Sequence, residues 1–395
     1  MKNLLLRIAF KALSDFYRIV AAILDWRCHL RVITGRPKYD VACITNFECD
    51  MQKNFMGFFS ERKPVKNGMR FSIGKTTGRY LLINSTARDL LRSQTRDMGK
   101  TQTRIAVVTA IHDGAKVILL AAGTKRLFDD KELALMRADF PEMIFTIGDN
   151  GTAWALLCDI FHVIERRKIS KGANVVVLGP NGYLGEVVME TLTASGFRNL
   201  IPISIKDPKP IDETQDVELV IACTHHHGLR LSADRLCRMA SAKGISVVDV
   251  CKPANLSVQE FSKCGDICER QDSGTVTNDR LRYVFSLGAI FILHNLNLGL
   301  NRLYGCFAET LALGLNDEES RHTMDFLKVN RDAMSLVERI FAKEGFRVAP
   351  LSNFGKAIKV VAGEKEAITQ RYGRRGKREA SLPCSAIRAK KNEPL

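Results

Sequence analysis

VVVLGPNGYLGEVVMETL, residues 175 to 192, sets glycines between an apolar strand and an amphipathic helix. In a parallel sheet the strand would end at Leu178 and Gly179 would make the tight turn. Gly182 would let a pyrophosphate approach the backbone, and Gly185 would let the helix lie close to the strand. The pattern is GxxGxxG rather than the usual GxGxxG, with Asn181 near where a glycine is more frequent. Strand, turn and helix together predict a dinucleotide loop. The competing expectation is a structural α/β repeat around an empty crevice.

The following segment bears on the cofactor. Residues 200–205 are apolar and read as the next strand, so Ser204, Lys206 and Asp207 fall at its carboxyl end, beside the adenosine ribose. An acidic side chain there accepts from the 2'-hydroxyl of NAD, whereas lysine with a small hydroxyl suits the 2'-phosphate of NADP. Lys206 favours NADPH, and Asp207 keeps NAD open. Asn181 in the loop and Thr224, past the strand at 217–223, complete the expected cofactor contacts with Gly179, Gly182, Gly185, Ser204 and Lys206.

The alternation extends outward from that unit. Residues 174–178, 200–205, 217–223 and 246–249 read as strands separated by helices near 186–195 and 232–242. Residues 39–45, 69–73, 79–83, 116–121 and 144–146 read as earlier strands, with helices over 86–110 and 152–165. Beyond Gly274 the pattern turns mostly helical, over 305–315 and 326–344. The expected fold is a Rossmann-type doubly wound parallel α/β sheet with an N-terminal α/β substrate domain and a helical C-terminal region. The expected divisions are 1–37, an amphipathic helix; 38–171, the substrate domain; 172–280, the dinucleotide domain; 281–350, helical; and 351–395, a basic tail.

Composition narrows the class. The 395 residues are enough for two domains, and the formal charge is +16. Residues 371–395 hold eight Lys or Arg against two Glu, so this stretch is expected to be disordered and to attract polyanions. Without interleaved aromatics it is not expected to read nucleic acid specifically. An anionic membrane or an acidic carrier protein suits it equally. Leu4, Leu5, Leu6, Ile8, Leu13, Phe16, Ile19 and Ile23 keep helical spacing but are interrupted by Lys2, Arg7, Lys11 and Arg18. Such a helix would pack on the protein or lie at a membrane interface rather than span one. Eleven cysteines without regular spacing, and no secretory signal, point to a reducing, cytoplasmic setting. Cys264 and Cys268 have ligand-like separation but lack a second pair, and no metal is expected.

Among the cysteines, Cys43 and Cys158 lie in apolar runs and read as core, while Cys306 opens the helix of YGCFAETL. Amide donors and the helix dipole would lower its pKa, making a thiolate able to carry an acyl group that a nicotinamide then reduces. Glu309 lies one turn further on the same face and would orient a base or hold the helix. His225, His226 and His227 follow a strand end. Adjacent histidines cannot converge on one metal, so the expectation is a loop packed on the cofactor, with one imidazole available for proton transfer.

An ordered series of segments resembles the cyanobacterial-type long-chain acyl-acyl carrier protein reductase family. YDVACITNFEC (residues 39–49), GRYL (78–81), FTIGDNGTAWALL (145–157), the glycine loop, VVDVCKPANL (247–256) and LYGCFAETLAL (303–313) are similar to its segments over residues 39–350. The resemblance implies NADPH-dependent reduction of a fatty acyl thioester, on acyl carrier protein or coenzyme A, to an aldehyde. Cys306 would be the nucleophile. The family's histidine after the Gly-Asn step is absent: Asn150, Gly151 and Thr152 stand there, so Thr152 or another histidine would take its role. Two other readings stay open: an NAD(P)-dependent dehydrogenase acting on another carbonyl or imine without a covalent intermediate, and a non-catalytic Rossmann-fold binding protein.

Overall fold

Two main β-sheets, one in each of two compact units, organise the computed structural model, which describes residues 20, 26–59, 63–205, 216–224, 229–283, 301–316 and 320–358. The first unit comprises Met1–Asn150, Thr277–Ala333 and Lys343–Phe346. The second comprises Gly151–Val276, Met334–Ala342 and Arg347–Leu395. Most of the amino-terminal amphipathic segment, Lys206, Asp207, the three histidines and the basic tail lie outside the described residues.

In the second unit the strands are β6 (Asn174–Leu178), β7 (Asn199–Ile203), β8 (Val217–Ala222), β9 (Ile245–Asp249) and β10 (Cys268–Asp272). Their order is β10-β9-β8-β6-β7, and every neighbouring pair is parallel. Numbered from β6, this is the doubly wound order 2-1-3-4-5, whose direction reverses between β6 and β8. NVVVL and VELVIA are buried along nearly their whole lengths, because a parallel sheet is covered on both faces. The core joins Val176, Leu178, Val220, Leu236, Met239, Val247 and Leu256. This is the Rossmann-like α/β fold expected from the sequence.

The first unit contains β1 (Val41–Phe47), β2 (Val65–Ile73), β3 (Thr76–Thr86), β4 (Val117–Leu120), β5 (Ile144–Thr146) and β12 (Leu281–Tyr283) in the order β12-β2-β3-β1-β4-β5. β3, β1, β4 and β5 are parallel, whereas β2 is reversed and pairs antiparallel with both β3 and β12. The β2–β3 pair is longer than the apolar pattern predicts because polar residues occupy buried positions. Lys66 is 4% exposed, with its ammonium 5.6 Å from the Phe47 ring centroid, and Arg70 is 7% exposed.

The single helix expected over 86–110 is two, α3 (Ala87–Leu91) and α4 (Ser93–His112), separated by Arg92 in extended backbone. Thr86 and Asp89 form a reciprocal capping box that starts α3. Thr95 Oγ1 donates to Asp89 O at 2.5 Å across the break, a side-chain bond that competes with helix continuation. The stretch after Gly274 is less helical than expected, containing β11 (Thr275–Thr277), β12 and β13 (Arg302–Tyr304). α10 (Gly305–Leu315) matches its predicted span, but α12 (Arg331–Glu344) begins later than residue 326. Phe326 instead bridges Thr146 at the end of β5, and Asn330 Oδ1 accepts from Ala333 N at 2.8 Å as a cap. Among the described residues no helix is long and apolar enough to cross a membrane.

Candidate functional site

The loop leaving β6 is built from backbone. Gly179 has φ 79°, donates to Ile203 O at 2.9 Å, and accepts at its own carbonyl from Gly182 N at 3.2 Å. That left-handed turn returns the chain so that α7 (Tyr183–Ala194) starts over the strand end. A Cβ on Gly185 would lie 2.0 Å from Gly179 O, so glycine is required there by contact with backbone. A Cβ on Gly182 would meet nothing nearer than 3.6 Å, so the protein itself does not require glycine there. Gly182 caps α7 without any side-chain hydrogen bond, leaving the first-turn amides without a side-chain acceptor. Together, the open Cβ position and these amides form a cradle suited to a phosphate.

This loop lies at the reversal of strand order. A Cβ on Gly179 would be 2.8 Å from Thr224 Cβ, so Thr224, past the end of β8, shares the β6–β8 crevice with the glycine turn. Asn181 Nδ2 donates to Ser204 Oγ at 3.3 Å, tying the loop to the end of β7. The predicted cofactor residues Gly179, Asn181, Gly182, Gly185, Ser204 and Thr224 therefore gather at one carboxyl edge. Lys206 lies outside the described residues.

Asp249, at the end of β9, fixes the neighbouring loop. Its Oδ1 accepts from Cys251 N, while Oδ2 accepts from Asn255 N and from the Arg270 guanidinium at 3.0 Å. Asn255 then donates through Nδ2 to Thr224 O at 2.7 Å and to Leu229 O at 3.2 Å. Arg270 is 1% exposed and also pairs with Asp272. Although Asp272 is buried, Arg270 and the Gly355 amide hold its carboxyl below the ordinary range.

The first unit assembles a different cluster. Gly148, at φ 72°, packs against Cys306; a Cβ there would lie 2.2 Å from Cys306 Cβ. Glu309 is fully buried and accepts from Thr146 Oγ1 at 2.5 Å, while Thr146 Oγ1 accepts from Gly148 N at 2.8 Å. Lys125 pairs with buried Asp149 at 2.7 and 2.9 Å. Burial pushes the Cys306 thiol up to about 12; Lys125 opposes this, and the Asp149 and Glu309 carboxylates add to it. Cys306 is thus a neutral thiol near pH 7, contrary to the expected helix-start thiolate.

Glu309 and Cys306 share one cluster, in which Glu309 is engaged by Thr146. Thr152 belongs to the second unit, on α6 (Asp149–Arg167), where its Cγ2 lies 3.4 Å from a Cβ built on Gly274. Reading the sequence missed Lys125, Asp149, Asn255 and Asp249. Asp149 stands in FTIGDNGTAWALL and Asn255 in VVDVCKPANL, so both were within quoted segments. Lys125 follows Thr124 in a short turn of 3-10 helix and carried no motif signal.

No family model and no curated protein matches the chain. Solved structures similar to it include malic enzyme from Pyrococcus horikoshii, at 14% identity over 89% of this chain and 86% of that one, TM-score 0.35. NAD-dependent malic enzyme from Thermotoga maritima shares 12% over 85% and 93%, TM-score 0.35. A 5,10-methylenetetrahydrofolate dehydrogenase from the silkworm Bombyx mori shares 14% over 65% and 87%, TM-score 0.29. At these values the likeness carries no argument about substrate or mechanism.

The assignment to the acyl-acyl carrier protein reductases, and with it thioester reduction through a cysteine acyl-enzyme, is corrected. No family model matches the chain, and burial pushes the Cys306 thiol up to about 12 where the scheme requires a thiolate.

Proposed function

We propose that the protein is an NAD(P)-dependent oxidoreductase acting on a carbonyl or imine carbon without a covalent intermediate. The observation that carries this reading is the Gly179–Gly185 turn at the β6–β8 reversal, where Gly182 is open although nothing in the protein requires it to be glycine. A bound nicotinamide dinucleotide supplies hydride transfer, and its pyrophosphate suits the uncapped start of α7. The finer choice is NADPH. β7 ends at Ile203 and is followed by Ser204 and Ile205; next in sequence come Lys206, which suits a 2'-phosphate, and Asp207, the residue an NAD site would use instead.

Reduction of a carbonyl requires a proton at the developing oxyanion. The thiol of Cys306 takes no part in this scheme.

The test is fluorescence titration of wild type and Gly182→Asp with NADPH and NADH. Gly182 has φ −92° and ψ 160°, a conformation that aspartate adopts at helix caps, so the variant should fold. Its carboxylate would occupy the α7 amides and repel pyrophosphate. Losing such charge-assisted contacts at roughly 1.5–3 kcal/mol each should weaken NADPH by about a hundredfold or more. Wild type should bind NADPH more tightly than NADH. Equal cofactor affinity in wild type and variant would overturn the proposal and leave a binding protein of another kind.

A further inference from the structure

At the amino edge of the second unit's parallel sheet, opposite the glycine turn, a cavity of about 260 Å³ is lined by Arg166, Arg167, Lys168, Glu218 and Lys243. Arg166 and Arg167 end α6, Lys168 follows it, Glu218 lies near the start of β8, and Lys243 precedes β9. Arg166 is paired with Glu269, outside the lining, so Arg167, Lys168 and Lys243 face the one lining carboxylate, Glu218. The net positive charge is two. Arg167 donates to Lys243 O at 2.5 Å, fixing the turn before β9 to the helix end.

The backbone also places a cation at this cavity. Lys168 stands at φ 53°, the left-handed position after a helix that glycine occupies most readily. Its amide donates to Glu165 O, and that of Ile169 donates to Ile164 O, closing the helix end. A lysine therefore stands where the backbone favours glycine, and its charge joins the cavity.

We infer that this cavity is a second ligand site, for a compact dianion of the phosphate or dicarboxylate class, separate from the dinucleotide loop. Its volume falls below the roughly 300–1,000 Å³ of pockets for larger organic ligands. The two positive charges left once Arg166 is paired with Glu269 match a dianion.

The test is isothermal titration calorimetry of the full chain with inorganic phosphate and with malonate, at constant ionic strength. Using the Gly182→Asp background closes the α7 amides to phosphate, so the result does not depend on the proposed oxidoreductase activity. Heat with phosphate identifies a phosphoryl-type site, and preference for malonate identifies a dicarboxylate one. Lys168→Gly, which relieves the left-handed backbone, and Lys243→Ala, at an exposed position, should each weaken the bound anion by about tenfold, one charge-assisted contact. Absence of binding by both anions, or unchanged affinity in both variants, overturns the inference.

Discussion

Gly185→Ala should destabilise the protein, although alanine is the better helix former. The added Cβ would sit 2.0 Å from Gly179 O and 2.8 Å from both Gly179 C and Pro180 Cα. Every one of these neighbours is backbone, so no side chain can rotate away. The turn must open by more than an ångström, disturbing the Gly182 N to Gly179 O bond and the Gly179 N to Ile203 O bond. Overpacking of this kind costs about 1–3 kcal/mol, and a rigid backbone contact belongs at the upper end. Helix propensity returns about 1 kcal/mol, leaving a net loss of about 2 kcal/mol. With an m-value near 3 kcal/mol/M in urea, the midpoint should fall by about 0.7 M. Urea denaturation followed by fluorescence suits the measurement because Trp154 lies in the same unit, 5.0 Å from the Phe341 ring. NADPH titration of the folded variant should show weakened binding. Wild-type stability together with wild-type NADPH affinity would refute the close approach of α7 to the turn.

Lys125→Met should lower the urea midpoint, because it leaves the buried Asp149 carboxylate without its cation; an unchanged midpoint would mean that the pair does not form. Cys306→Ala should keep turnover within about threefold of wild type, and a covalent acyl adduct detected by intact mass would contradict the correction made above. Arg270→Met should cost about 3–5 kcal/mol in chemical denaturation by leaving buried Asp249 and Asp272 without their cation. Cys223, Cys268 and Cys306 are each pushed up to about 12, chiefly by burial. Raised folded-state values stabilise the fold fully below the unfolded thiol range, near about pH 8.5, and that stability is lost as pH rises towards about 12. Urea midpoints should therefore fall between about pH 8 and about pH 10.5, and equal midpoints would mean the thiols are accessible.

The dinucleotide unit was legible because its signals are local. A buried parallel strand is a continuous apolar run, and the turn after β6 needs glycine for reasons confined to a few residues, so 174–178 and Gly179 were read correctly. β2 was only partly legible because Lys66 and Arg70 are buried in it, one against the Phe47 ring and the other reaching the Lys38 carbonyl. No period-two apolar pattern survives such placement. The carboxyl-edge network was invisible for a different reason. Asp249, Asn255 and Thr224 are separated by 6 to 31 positions in sequence, and what joins them is an amide side chain reaching two backbone carbonyls.

Cys306 shows how a correct local rule gives a wrong chemical result. The residue does lie in the first turn of a helix, and the dipole there does favour a thiolate. That effect is worth about 2 kcal/mol at most, or roughly one and a half pKa units. Burial shifts a thiol by as much as about 3–5 units in the other direction. The surroundings are not set by α10 alone: Gly148 closes over the cysteine, Thr146 fastens Glu309 beneath it, and Asp149 adds a further negative charge. Lys125 opposes them, but it is already paired with Asp149. Desolvation therefore outweighs the dipole, and the thiol stays protonated. A protonated thiol is a poor nucleophile, which is why the carbonyl is reduced without an acyl-enzyme in the proposed scheme.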